Sequence, residues 1–149
     1  MDTCVWCRIF DDQTQIRIAE ETMAFISILE LAESGEVSIV NSDVLEDEIE
    51  EILSQEKRSE IQMLMTLSDN FVELSDDIIE FAKELQKNCN LSGGDALHLA
   101  CACNSSQFFL TCDDFILEKI NCIEEMMKKK GNILKVENPI DFIEEKHES

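Results

Sequence analysis

Short runs of β-branched and aromatic residues alternate with helical patterns along the whole chain, and this alternation restricts the fold more than any other feature. Val37–Val40, Phe71–Leu74, Phe108–Thr111 and Ile133–Val136 read as strands. Helical stretches separate them. Gln13–Ser34 carries Ile18, Ala19, Met23, Ile26 and Leu29 at near-helical spacing and stops at Gly35. Ser42 is placed to cap a helix running to about Leu53, Ser59–Leu67 forms another, and Ser75 with Asp76 caps a third through about Lys87. Ser92-Gly93-Gly94-Asp95 is a turn that opens Ala96–Cys103, a run apolar all round except for His98 and therefore a buried helix. Asp113 and Asp114 open a helix that ends near Lys130 with Gly131 as its cap, and Asn138-Pro139 starts a short final one. Strands divided by helices pair in parallel and put helices on both faces of the sheet. With 149 residues and no linker, repeat or low-complexity block, one domain spans 1–149. Only 4 glycines and 1 proline leave too few turn residues for an all-β chain.

The net charge is -21, from 33 acidic and 12 basic residues, which excludes binding of nucleic acid through a broad basic patch. A polyanionic substrate would need positive charge from another source, and a bound metal ion is the simplest one. The plainer reading is a solvated acidic surface. No apolar run approaches the ~20 residues that cross a bilayer. Asp2 and Arg8 interrupt any signal-like start, so the expected location is the cytoplasm. The 7 cysteines are then expected to be reduced thiols, buried as small hydrophobes.

Most of the acids solvate the surface, and four stand apart by position. In the segment Asp43–Glu60, a turn of ~100° per residue puts Leu45, Ile49 and Ile52 on one face. Glu48, with Val44 and Ile52 four residues to either side, sits at the edge of that stripe and points inward, while Glu50 and Glu51 point away. Glu46, on the opposite edge, is the second choice. A carboxylate on a core-facing stripe is costly unless paired or bound to a cation. Asp95 stands in the first turn of the buried helix, where an ordinary N-cap is the plain alternative. Asp113 and Asp114 follow an apolar strand, at the carboxyl end where open α/β sheets bind ligands, and one of the two is expected only to cap. Asp2 precedes a short apolar stretch. Asp2, Asp95 and Asp113 thus fall at strand–helix junctions that converge on one edge of a parallel sheet. Carboxylates gathered there raise one another's pKa, a divalent cation removes the penalty, and hard oxygen donors select Mg²⁺ or Mn²⁺ over zinc.

Asp2-Thr3-Cys4-Val5, Ser42-Asp43-Val44-Leu45-Glu46-Asp47-Glu48-Ile49, Gly94-Asp95-Ala96-Leu97-His98-Leu99-Ala100 and Phe109-Leu110-Thr111-Cys112-Asp113-Asp114 occur in an order that resembles the PIN domain family, and within it the VapC-type toxin ribonucleases. Val136-Glu137-Asn138-Pro139-Ile140-Asp141-Phe142 is similar to the family's close. The resemblance implies a three-layer α/β/α sandwich around a central, mostly parallel sheet of about 4–5 strands. In this chain only Met1 precedes the first acid, so the first strand is expected to be truncated. It also implies a metal-dependent endoribonuclease, with Asp2, Glu48, Asp95 and Asp113 as the catalytic quartet and metal ligands, Asp114 as a further ligand, and Mg²⁺ or Mn²⁺ as cofactor. Arg8 and Thr111 would contact substrate RNA. A toxin of this kind implies a cognate antitoxin and a homodimer.

Other side chains have structural and functional readings side by side. Arg8, Arg17, Lys57 and Arg58 could touch phosphates and Trp6 could stack on a base, but ordinary surface charge and core packing are the favoured roles. Lys128-Lys129-Lys130 lies in a helix's last turn, where cations complement the dipole. Cys4-x-x-Cys7 has metal-ligand spacing, and Cys101, Cys103 and His98 could extend it, but no second Cys-x-x-Cys follows. His98, between Leu97 and Leu99, reads as a hydrogen-bonded core residue. The alternative to an enzyme is a catalytically inactive PIN-like binding module.

Overall fold

The computed structural model describes residues 1–148. After a short helix α1 (Thr3–Cys7) and a 3-10 turn (Arg8–Phe10), the chain forms α2 (Ile16–Glu33), β1 (Val40–Ser42), α3 (Asp43–Glu50), α4 (Gln55–Met65) and β2 (Asn70–Val72). It continues through α5 (Asp76–Cys89), α6 (Gly93–Ala102), β3 (Phe108–Leu110), α7 (Asp114–Leu117), α8 (Ile120–Lys129), β4 (Lys135–Glu137) and α9 (Pro139–Glu148). The expected caps act as such. Ser42, Ser75 and Ser92 accept the amides of Leu45, Ile78 and Asp95, and α2 stops with Gly35 at φ 84°.

Both strand pairings are parallel. Val40, Asn41 and Ser42 face Asn70, Phe71 and Val72, and Phe108, Phe109 and Leu110 face Lys135, Val136 and Glu137. The four described strands therefore form two pairs rather than one continuous ladder. Residues 1–2 form no strand, yet the Asp2 amide donates to the Leu110 carbonyl at 3.3 Å and so lies along the free edge of β3. Beside it, between β1 and β3, is a cavity of about 460 Å³ of mixed polarity, lined by Met1, Ile28, Ile39, Ser106, Gln107 and Phe142 among others, and by none of the four acids.

Strand alternation produces the layers. Phe109 enters one core with Leu85, Leu99, Ile116, Ile123 and Met127, whereas Leu110 enters a second core with Trp6, Phe25, Ile28, Leu45 and Phe142. Helices α5, α6 and α8 cover the first face, and α1, α2, α3 and α9 cover the second, so the architecture is the expected α/β/α sandwich.

Several details depart from the sequence reading. The strand expected at Val37–Val40 forms three residues later, at Val40–Ser42. The helix expected from Asp113 to Lys130 is broken into α7 and α8. In α2, Met23 is 65% exposed, and the buried stripe instead contains Glu21, Thr22, Phe25 and Ile28. The stripe was misplaced because Glu21 is polar, and its burial depends on ion pairs that no helical period reveals. The expectation of wholly reduced thiols fails for two cysteines: Cys89 and Cys122 form a disulfide joining α5 to α8, while Cys4, Cys7, Cys101, Cys103 and Cys112 are free.

Candidate active site

Thr111, the residue after β3, organises the carboxylates. Its side chain is fully buried, and its hydroxyl donates to Asp2 Oδ2 at 2.6 Å while accepting the Asp113 amide at 3.0 Å. One hydroxyl thus fixes the positions of two acids that lie 111 residues apart in sequence. The Cys4 thiol donates to the other Asp2 oxygen at 2.9 Å, and the Cys112 amide donates to that sulfur at 3.3 Å. Asp2 is hydrogen-bonded to Cys4 and Thr111, and burial raises its carboxyl pKa above the usual range, opposed by those two bonds and then by the positive charges of the amino terminus and His98.

Asp95 reaches the same place from the first turn of α6, where Ser92 takes the capping role and leaves the Asp95 side chain free of it. Burial first, then the negative charges of Asp113 and Asp2, raise its pKa. Among the described residues, no lysine or arginine pairs with Asp2, Asp95 or Asp113. Of the carboxylates expected to repel one another at converging junctions, Asp95 is the one whose pKa is raised by its neighbours Asp113 and Asp2.

The remaining candidates are placed differently. Glu48, half-buried on α3, is held by a hydrogen bond to His98 Nε2, which lowers its pKa. His98 is the hydrogen-bonded core residue expected of it, and it interacts electrostatically with Asp2 and Asp95, so the Glu48–His98 pair borders those two aspartates. Glu46 is exposed. Asp113 also caps α7 through the Phe115 amide at 2.9 Å. Asp114 is exposed and turned away, gripping Arg17 through two bonds of 2.7 and 3.0 Å. Arg8 is engaged by Asp11 and Glu21, each at 2.9 Å. Trp6 is fully buried edge-on to Phe25, which removes it as a base-stacking platform. Cys4 serves Asp2 and the Cys112 amide rather than pairing with Cys7 as a thiol metal site.

The donor chemistry of Asp2, Asp95 and Asp113 suits a hard divalent cation: oxygen ligands only, crowded negative charge and no protein cation to neutralise it. Among the described residues, however, no three His, Cys, Asp or Glu side chains stand close enough to ligate one ion together. The carboxylates of Asp2, Glu48 and Asp113 each have a hydrogen-bond partner, so bringing the acids onto one ion requires side-chain rotation, above all of Glu48 away from His98.

A family model for the PIN domain matches residues 1–120. This chain belongs to the PIN domain family. No curated protein and no solved structure matches it. The matched span holds all four acids and ends before β4. PIN membership fits the α/β fold and points to nuclease-type chemistry on nucleic acid, for which PIN nucleases generally use divalent metal ions.

Two features of this PIN domain escaped the sequence reading. Cys4 is a direct partner of the first acid, and nothing in its Cys-x-x-Cys context suggested so. Glu21 is fully buried and bound to Arg8, Arg17 and Asn138. A signal for Glu21 existed: it shares the spacing i, i+4, i+7 with Phe25 and Ile28, the same inward-pointing test that singled out Glu48.

Proposed function

We propose that this PIN domain is a metal-dependent ribonuclease that hydrolyses RNA phosphodiester bonds at Asp2, Glu48, Asp95 and Asp113. The observation that carries this reading is the group of three aspartates around the carboxyl end of β3, in which the charges of Asp113 and Asp2 act against that of Asp95 and which no lysine or arginine side chain pairs among the described residues. A protein that maintains such repulsion gains a site for Mg²⁺ or Mn²⁺. Asp2, Asp95 and Asp113 would hold the ion, with Glu48 joining after release from His98. When bound, the ion supplies an acidified water and stabilises charge on the phosphate oxygens. Thr111 keeps the Asp2 carboxylate oriented, and Asp113 would orient the attacking water.

The order of the motifs favours the VapC-type toxin within the family. On that reading a cognate antitoxin covers the acidic edge with a basic side chain, and the toxin is a homodimer; gel filtration showing only monomer removes the dimer. The inactive binding module is favoured by one observation, the engagement of Glu48 by His98 in place of a ligating cluster.

Turnover separates the two. The test is cleavage of a mixed fluorescent RNA pool by purified protein with Mn²⁺, with Mg²⁺ and with EDTA. Cleavage that needs the metal is expected. A folded protein that leaves the pool intact with either ion contradicts the ribonuclease.

A further inference from the structure

The chain has few cations, and two of them are locked together beside the acids. Glu21, on α2, is fully buried and accepts Arg8 Nε at 2.9 Å, while Arg17 Nε lies 3.4 Å from its other oxygen, which also accepts Asn138 Nδ2 at 2.5 Å. Arg8 is only 20% exposed and is further tied to Asp11. Arg17 is 49% exposed. Its guanidinium donates to the Cys112 carbonyl at 3.4 Å and to both oxygens of Asp114, so it contacts the residues on either side of Asp113.

A guanidinium anchored through one edge and exposed on the other is a preformed fork for a two-oxygen anion. Its present occupant, Asp114, is an exposed carboxylate with no other partner among the described residues. A chain of charge -21 repels a polyanion, so a single fixed cation at the rim has a large effect on whether a phosphate can approach. A purely structural role would need Glu21 and Arg8 but gives no reason to present the outer edge of Arg17, held by the exposed Asp114 and the Cys112 carbonyl, beside Asp113.

We propose that Arg17 is an RNA phosphate-contact residue, that Asp114 is the carboxylate it releases when RNA binds, and that buried Glu21 is the positioning residue holding the guanidinium beside Asp113. The inference rests on the ribonuclease reading and assigns its substrate grip. It places the RNA backbone across the α2–α7 rim, with the phosphate next to the scissile one on Arg17. No bond is made or broken at this position; one ion pair replaces another.

The test is cleavage of a short single-stranded RNA by the full chain with Mn²⁺, across a range of salt. Arg17→Ala should raise KM about tenfold, with a smaller change in kcat, and flatten the dependence of log KM on log salt by about one phosphate contact. Arg17→Lys should restore part of the loss, since it returns the charge without the fork. Asp114→Asn should lower KM by removing the competing carboxylate. Glu21→Gln should reproduce the Arg17→Ala change in KM and salt slope in protein that melts as a folded domain. An unchanged KM and salt slope in Arg17→Ala overturns the proposal, whatever Glu21→Gln does to folding. So does a loss confined to kcat. RNA binding by fluorescence anisotropy separates this failure from that of the nuclease: wild type that binds without cleaving refutes the ribonuclease, and a weaker, less salt-sensitive Kd in Arg17→Ala then still supports the contact. Wild type that neither cleaves nor binds overturns both.

Discussion

Asp2 and Glu21 are both buried carboxylates, at 5% and 0% exposure, yet their surroundings differ. Glu21 meets two guanidinium groups and an amide, so its charge is compensated and its burial ties α2 to the 3-10 turn and to the residue before α9. Asp2 meets a thiol and a hydroxyl and feels the positive charges of the amino terminus and His98 without a side-chain ion pair, so its charge is hydrogen-bonded but less fully compensated. Folding stability accounts for the first arrangement and does not account for the second. A buried ion pair loses several kcal/mol when one partner goes, whereas an uncompensated acid is a cost that the fold carries for another reason. The contrast marks where the chemistry is expected: at the unpaired acids, with the paired one supporting the rim.

The largest break in this comparison is expected in turnover. Asp95→Asn and Asp113→Asn should each lower the single-turnover cleavage rate on the order of 10³-fold, with circular dichroism unchanged, because each removes a charge needed in the transition state. Next comes stability. Glu21→Ala should destabilise the fold by about 2 kcal/mol in denaturant unfolding, less than a fully enclosed pair because Arg17 keeps contact with water. Asp2→Asn should be neutral or stabilising in the same measurement. If both variants lose the same stability, the distinction between the two carboxylates is wrong.

A smaller effect is expected in pH dependence. Burial raises the Asp2 pKa in the folded state above the ordinary 3.8, so the folded protein binds this proton more tightly than the unfolded chain does. The contribution is favourable below the unfolded value and is lost as pH rises through the folded one. Asp95 behaves the same way. Glu48 opposes them, since His98 lowers its pKa and that stability is lost as pH falls. Subtracting the Tm–pH curve of Asp2→Asn from that of wild type isolates the first term, and the difference should grow more unfavourable to wild type from pH 4 upward. The smallest effect is expected with added metal at pH 7: Mn²⁺ should raise the wild-type Tm by a few degrees and that of Asp95→Asn by less.

The sequence shows Asp2, Asp95 and Asp113 for a physical reason. Junction acids are fixed by strand ends and helix starts, and those are marked by Ser92, by the glycines after it and by the apolar run before Thr111. Glu48 was legible as inward-pointing, but its partner His98 lies 50 residues away, and only the packing of α3 on α6 brings them together. Glu21 was legible as inward-pointing, and Arg17 four residues before it is a local partner, but Arg8 and Asn138 belong to different elements, so no local pattern shows the rest of its compensation. The two parallel pairs were half legible: pairing direction follows from the helical crossovers, while the separation of β1 from β3 depends on residues 1–2 contributing one amide rather than a strand. The Cys89–Cys122 bridge had no local sign, since partners on α5 and α8 meet only in the folded core.

The central claim is that the three unpaired aspartates, and not some other acidic patch on a highly charged surface, form the active centre. The most direct measurement is single-turnover cleavage of one RNA substrate by wild type and by Asp95→Asn at matched, saturating Mn²⁺. The account predicts rapid cleavage by wild type and almost none by the variant, with both proteins folded. Equal rates would contradict it.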